Sequence, residues 1–180
     1  LWYDHHGLYE TNLWVPLIFH HPTAVPDMQR LSGMVTLTDV APTILDLCGL
    51  SDVADEGGMD GISLRPLMDN GSHAGARDGI YLTENAWMRK RGWRTPRDKL
   101  IVETGHTPEV YGLSSDELYD LVTDPEEQDN LIDARPEVAA DLRRDMDAHV
   151  EKRLAETEKN KRKKMRKKSK NQKQEKDNKS

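Results

Sequence analysis

Residues 13–19, Leu-Trp-Val-Pro-Leu-Ile-Phe, form an unbroken apolar run closed by His20-His21-Pro22. A run of this length reads as a short strand buried on both faces of a parallel sheet. Pro16 offers no backbone donor, so the strand is expected at an edge or in an irregular position. A Pro- and Gly-bearing connection covers 22–33, and then the period changes. Thr38 or Asp39 can cap a helix running to Cys48, with Pro42 tolerated in its first turn and Gly49 as its stop. Val40, Ile44, Leu47 and Cys48 share one face, which is expected to pack on the sheet. Residues 51–61 are acidic and Gly-rich, hence a surface loop. Residues 62–68 read as a docking segment with a turn of helix.

After residue 76 the pattern shortens. Residues 79–84, 86–90, 93–95, 99–102 and 117–121 are strand candidates in close succession. Turn signals at Arg91-Gly92 and at Thr95-Pro96-Arg97-Asp98 predict an antiparallel meander. From Pro136, apolar residues at Val138, Leu142, Met146, Val150 and Leu154 line one stripe of an amphipathic helix. Beyond Lys159 only Met165 is apolar, and a tail of that composition is expected to be disordered.

Charge divides the chain at the same place. The formal net charge of −6 hides a tail from residue 158 onward with 12 Lys/Arg against 3 Asp/Glu. The body before it carries 14 basic and 29 acidic residues. This is an acidic body with a basic tail, and the tail could contact a polyanion nonspecifically. A single cysteine, Cys48, excludes an internal disulfide framework, and no apolar stretch approaches the roughly 20 residues of a membrane helix. The chain opens on Leu rather than Met, and the expectation is that part of a larger α/β domain precedes it.

Candidate chemistry lies at the start. Asp4-His5-His6 stands immediately before the first apolar run, as titratable residues do on one rim of an α/β active site. His20-His21 is a second pair, but no nearby Cys or close His completes a metal set, so a surface turn is expected. Residues 87–94 mix Trp with Arg and Lys. Cross-strand packing with solvated cations is favoured there over a nucleic-acid surface.

Three stretches together resemble the C-terminal half of a sulfatase of the alkaline-phosphatase-like superfamily. They are Gly7-Leu8-Tyr9-Glu10 followed by Val15-Pro16-Leu17-Ile18; residues 38–50 with Asp60-Gly61 and residues 62–67 after them; and Glu117-Leu118-Tyr119-Asp120-Leu121 with Asp124-Pro125-Glu126-Glu127 and Asn130-Leu131. The resemblance covers roughly residues 3–155. It implies an α/β fold: the end of the large mixed sheet in residues 1–75, a small antiparallel sheet plus terminal helix in 76–157, and a disordered basic tail in 158–180. It also implies a sulfate-ester hydrolase with a formylglycine nucleophile and a divalent metal, calcium in most of the family, both supplied from upstream of this chain. The substrate would be a sulfated small molecule or sulfated sugar. Phosphodiesterases and phosphonate monoester hydrolases share the scaffold and remain alternatives, as does a non-catalytic polyanion-binding half-domain.

Many members of the family place a sulfate-contacting Lys four residues before the Tyr of the first stretch. Counting back from Tyr9 gives His5, which could donate to a sulfuryl oxygen or protonate the leaving group; His6 is the neighbouring candidate. Asp4-His5-His6-Gly7 also resembles the family's metal motif, but Asp4 stands too close to Glu10 for that role, so no metal ligand is assigned. Cys48 lacks the x-Pro-x-Arg sequence of a formylglycine precursor and is read as structural. The chain alone is expected to be inactive.

Overall fold

The computed structural model describes residues 7–25, 30–70, 77–86, 89–105 and 116–177. Four strands form one antiparallel meander in the order β1-β2-β3-β4: β1 Ile80–Glu84, β2 Lys90–Arg94, β3 Asp98–Glu103 and β4 Glu117–Asp120. Register is set by pairs such as Tyr81↔Trp93, Trp93↔Leu100 and Leu100↔Leu118. The β2–β3 turn is tied by Thr95, whose hydroxyl accepts from Asp98 N–H at 2.9 Å while its own N–H donates to Asp98 O at 2.9 Å.

Strand side chains alternate between two faces. On one face Trp93, Leu100, Val102 and Leu118 pack against Ala139, Leu142 and Met146 of α5 (Pro136–Asp177). On the other, Ile101 and Tyr119 pack with Leu8 from the opening segment. Asn130 covers the free edge of β4: its Oδ1 accepts from Leu118 N–H at 3.0 Å and its Nδ2 donates to Asp116 O at 3.2 Å. Leu131 N–H then donates to Leu118 O at 2.8 Å, in the manner of a fifth strand.

Several expectations are corrected. Residues 13–19 form no strand: α1 (Glu10–Leu13) ends at Trp14, and the chain beyond it has no regular secondary structure, with Trp14 84% and Ile18 88% exposed. A strand needs neighbours for its N–H and C=O groups, and none of the described residues pairs with this run. The helix after Thr38 exists as a 3-10 turn, Leu37–Asp39, followed by α2, Val40–Leu47, and Gly49 stops it at φ +73°. Its buried residues are Pro42 and Thr43, while Ile44 and Cys48 are exposed. The helix packs on α3 and α4 (Arg65–Asn70), not on the sheet, because the Thr43 hydroxyl accepts the Leu64 N–H at 2.9 Å.

Residues 51–57, expected as loop, form α3 (Ser51–Gly57), closed by left-handed Gly58. Arg91-Gly92 is mid-strand rather than a turn. The β1–β2 connection falls instead at 85–89, part of it outside the described residues.

The basic tail is likewise corrected, from disorder to helix. α5 continues to Asp177, 42 residues or about 63 Å. No Gly or Pro interrupts residues 137–177, and Lys, Arg, Glu and Gln are good helix formers. Packing on the sheet has already formed the nucleus, so extension needs only propagation.

Candidate functional site

The opening segment sits in a socket on the sheet face opposite α5. Gly7 takes φ +114°, where a Cβ would press on the Tyr9 ring at 3.1 Å. Leu8 fills an apolar floor with Ile101, above Gly92, where an added Cβ would lie 3.5 Å from Leu8 and 2.9 Å from Leu100 O. Glycine is required there by the close approach of the Leu100 carbonyl on β3, while Leu8 rests on it at ordinary contact distance. Tyr9 meets Tyr119 edge-on, with centroids 6.3 Å apart.

Around this floor runs a ring of charge. Tyr9 and Tyr119 hydroxyls donate to Glu117 Oε2 at 2.7 and 2.8 Å, and Lys90 Nζ donates to Glu117 Oε1. Arg94 forks onto Glu10 with Nε and Nη2 both at 3.1 Å. Lys99, fully buried, donates to Glu10 Oε1 at 3.0 Å and lies 2.6 Å from Glu127 Oε1, a close ion pair off the hydrogen-bond direction. Glu127 Oε2 accepts the Glu10 backbone N–H at 2.6 Å, and Glu127 itself holds φ +57° to reach it. Three cations thus face three carboxylates, and buried charge is tolerated because it is paired.

Burial, and then the Glu117 carboxylate, push the Tyr9 and Tyr119 hydroxyls far above the usual phenol range. Burial pushes the Glu10 carboxyl upward, yet Arg94 and Lys99 outweigh it and hold it below 4.5. At Glu127 burial wins over Lys99, and its pKa is raised. Each carboxylate of the ring is held by cations, hydroxyls or a backbone amide, and the arrangement anchors the opening segment to the sheet.

A second anchor ties the 3-10 turn before α2 to the stretch leading into β1. Asp39, fully buried, takes a bidentate fork from Arg77 at 2.6 Å on both oxygens, with backbone N–H groups of Thr36 at 2.8 Å and Ile62 at 2.9 Å. Burial pushes its carboxyl up, but the Arg77 guanidinium and the two amides hold it below 3.8. Gly61 is needed beside it, because a Cβ there would collide with the Thr38 carbonyl.

His5, His6 and Asp4, the residues singled out in the sequence, lie outside the described residues. So do Trp87 and Met88 of the aromatic-basic stretch. His21 caps a surface turn, its Nδ1 accepting from Thr23 and Ala24 N–H at 3.2 and 3.0 Å. Among the described residues no group of three or more His, Cys, Asp or Glu could hold a metal ion. These residues therefore do not fit the family's metal, and no step is assigned to one. Sequence reasoning missed the roles of Lys90, Arg94, Lys99, Glu117 and Glu127. The signal was available: Lys90 and Arg94 share one face of β2, as Lys99 and Ile101 share one face of β3, with acidic partners inside the Tyr-Glu, Glu-Leu-Tyr-Asp and Asp-Pro-Glu-Glu stretches.

The fold of this chain is shared with sulfatases. A structure from Bacteroides thetaiotaomicron assigned as a sulfatase superposes with TM-score 0.64 at 25% identity, over 83% of this chain and 32% of that one. Another, solved with its substrate D-glucosamine-2-N,6-O-disulfate, gives 0.58 at 25% identity over 72% and 26%. The architecture is the C-terminal part of the alkaline-phosphatase-like sulfatase fold. Rat arylsulfatase K is 27% identical over 76% of this chain, and human arylsulfatase D 25% over 77%. The chain spans about a quarter of the length of these curated relatives. Residues 1–160 match the profile of N-sulphoglucosamine sulphohydrolase, C-terminal, and the chain belongs to that family.

Proposed function

We propose that this chain is the C-terminal module of a sulfate-ester hydrolase, and that its task is to hold the segment bearing His5 and His6 at the rim of the reaction site. The observation that carries this reading is the socket. Residues 7–10 are locked to the small sheet through Glu10, Tyr9, Lys99 and Glu117, immediately after the two histidines. A His in that place can donate to a sulfuryl oxygen or protonate the departing oxygen. The formylglycine and the divalent metal, calcium in most of the family, belong in this reading to the part of the protein corresponding to the length of the relatives that this chain does not span. When bound, the metal would supply positive charge to the sulfuryl oxygens. The substrate class is a sulfated sugar, supported by the disulfated glucosamine held by the structural relative.

The test begins with the reading frame upstream of Leu1, expected to encode Cys/Ser-x-Pro/Ala-x-Arg. In the protein expressed with that segment, His5→Ala or His6→Ala should lower kcat on a sulfated glucosamine by roughly 10²–10⁴-fold, the usual range for loss of a proton-transfer group. Full turnover in both variants refutes the histidine roles. Turnover of an aryl sulfate by the 180-residue chain alone refutes the division of labour.

A further inference from the structure

We propose that the distal part of α5 is a docking arm for a sulfated polysaccharide chain. Between Lys159 and Gln174 the helix carries 10 Lys/Arg and no acidic residue. At about 100° per residue, Lys159, Arg162, Lys163, Arg166, Lys170 and Lys173 occupy an arc of about 100°, forming a strip about 21 Å long. Lys159, Arg162 and Met165 are solvent-exposed. Like charges at i,i+3 and i,i+4 repel, and the strip includes no acid that relieves them. A linear polyanion laid along it does so, with release of the polymer's counterions.

The composition also selects among polyanions. No aromatic residue lies between 158 and 180, so the arm has nothing on which the bases of a single strand can stack, and a duplex is separated from a sulfated sugar by the measurement below. Met165 is its one apolar side chain in that span, so it lacks the apolar face with which an amphipathic helix enters a bilayer. Among the described residues no helix is long and apolar enough to cross a membrane. A polymer of dense sulfate on a sugar backbone needs neither feature. The choice of sulfated sugar rests in part on the hydrolase reading above; binding to the arm does not.

Binding of the full 180-residue chain is measured by anisotropy at physiological salt with three probes: labelled heparin oligosaccharide, a DNA duplex of equal charge, and phosphatidylserine vesicles. Heparin is expected to bind most tightly. Lys159→Gln, Lys163→Gln, Arg166→Gln and Lys170→Gln together remove four charges from the strip while keeping helix propensity. Lys161→Gln, Lys164→Gln, Lys168→Gln and Lys176→Gln remove four from elsewhere on the same helix. The first set should weaken heparin binding roughly tenfold or more and the second less than about threefold. Equal losses from both sets, duplex or vesicle binding as tight as heparin, or no heparin binding at all would each overturn the proposal. Because binding is read without turnover, such a failure leaves the hydrolase reading to its own assay.

Discussion

Lys90 and Glu117 offer the sharpest test of the socket. Lys90 is 2% exposed, and Glu117 answers it while also accepting from Tyr9 and Tyr119. Glu117→Gln keeps the shape and removes the charge, leaving an ammonium buried against a neutral amide. Breaking a buried pair from one side costs about 3–5 kcal/mol, a large part of the roughly 5–15 kcal/mol that holds a domain folded. Lys90→Met strands the carboxylate instead, but both tyrosine hydroxyls still donate to it, so the loss should be smaller. The double variant places two neutral groups in the pocket, with the hydroxyls donating to the amide oxygen. Its loss should fall below that of Glu117→Gln alone by on the order of 2 kcal/mol, as expected when a charged pair is replaced rather than broken.

Urea unfolding of the chain, followed by tryptophan emission and far-UV circular dichroism, measures all four corners of this cycle. Interpretation requires an unchanged slope against denaturant. Additive losses would show that the two groups do not couple. A Glu117→Gln loss under about 1 kcal/mol would show a solvated pair, and the segment over the sheet would then not be clamped.

Three further outcomes follow from the same contacts. Tyr9 and Tyr119 have folded-state pKa values raised above 10.0, so their contribution to stability is intact below pH 10 and is lost as pH rises beyond it. An ultraviolet tyrosinate titration should find two of the five tyrosines ionising only on unfolding, and reversible native ionisation of all five near pH 10 would contradict this. Glu10 is held below 4.5, so its contribution is present above that pH and lost as pH falls through the lower folded value. The raised Glu127 works in the opposite sense, weakening the fold as pH rises past 4.5. Glu10→Gln should therefore flatten the acid limb of the stability profile; an unchanged limb would count against the Arg94 and Lys99 contacts. Asn130→Ala leaves the Leu118 N–H without its acceptor and should cost about 1–3 kcal/mol in urea, whereas a loss within about 0.5 kcal/mol would remove Asn130 from the edge of β4.

The meander and the packed half of α5 were legible because each element buries a face against a partner within this chain. Leu142 and Met146 fall on the helical stripe, and Leu100 and Val102 alternate along β3, so period and packing agree. The run 13–19 was legible as apolar but not as exposed. Apolarity states that a segment can be buried and not what buries it, and here no described strand lies beside it. α3 was missed because Ser51 to Gly57 is acidic and ends in glycines, yet Gly58 in the left-handed region is an ordinary helix stop. Of the candidate site, His5 and His6 stood out by position, took their roles from the resemblance and lie outside the described residues, while the ring that anchors their segment was overlooked. Lys90 and Arg94 read as solvated charges, and Lys99 as the start of a strand, until the register places them on one face, opposite Glu10 and Glu127.

The use of charge in this socket bears on the proposed function. An apolar socket of equal area would stabilise the fold at least as well, since buried ion pairs gain little over packed hydrocarbon. Hydrocarbon, however, tolerates sliding. Here Lys99 reads Glu10 and Glu127 together, Arg94 reads both oxygens of Glu10, and Glu117 reads the hydroxyl of Tyr9. A slip of one residue along 7–10 would part Glu10 from Arg94 and Lys99 and Tyr9 from Glu117, at several kcal/mol for each broken buried pair. The ring therefore fixes position more than it adds stability. A module whose task is to present two histidines to a sulfuryl group needs that property, because a misplacement of about 1 Å can lower a rate roughly a hundredfold.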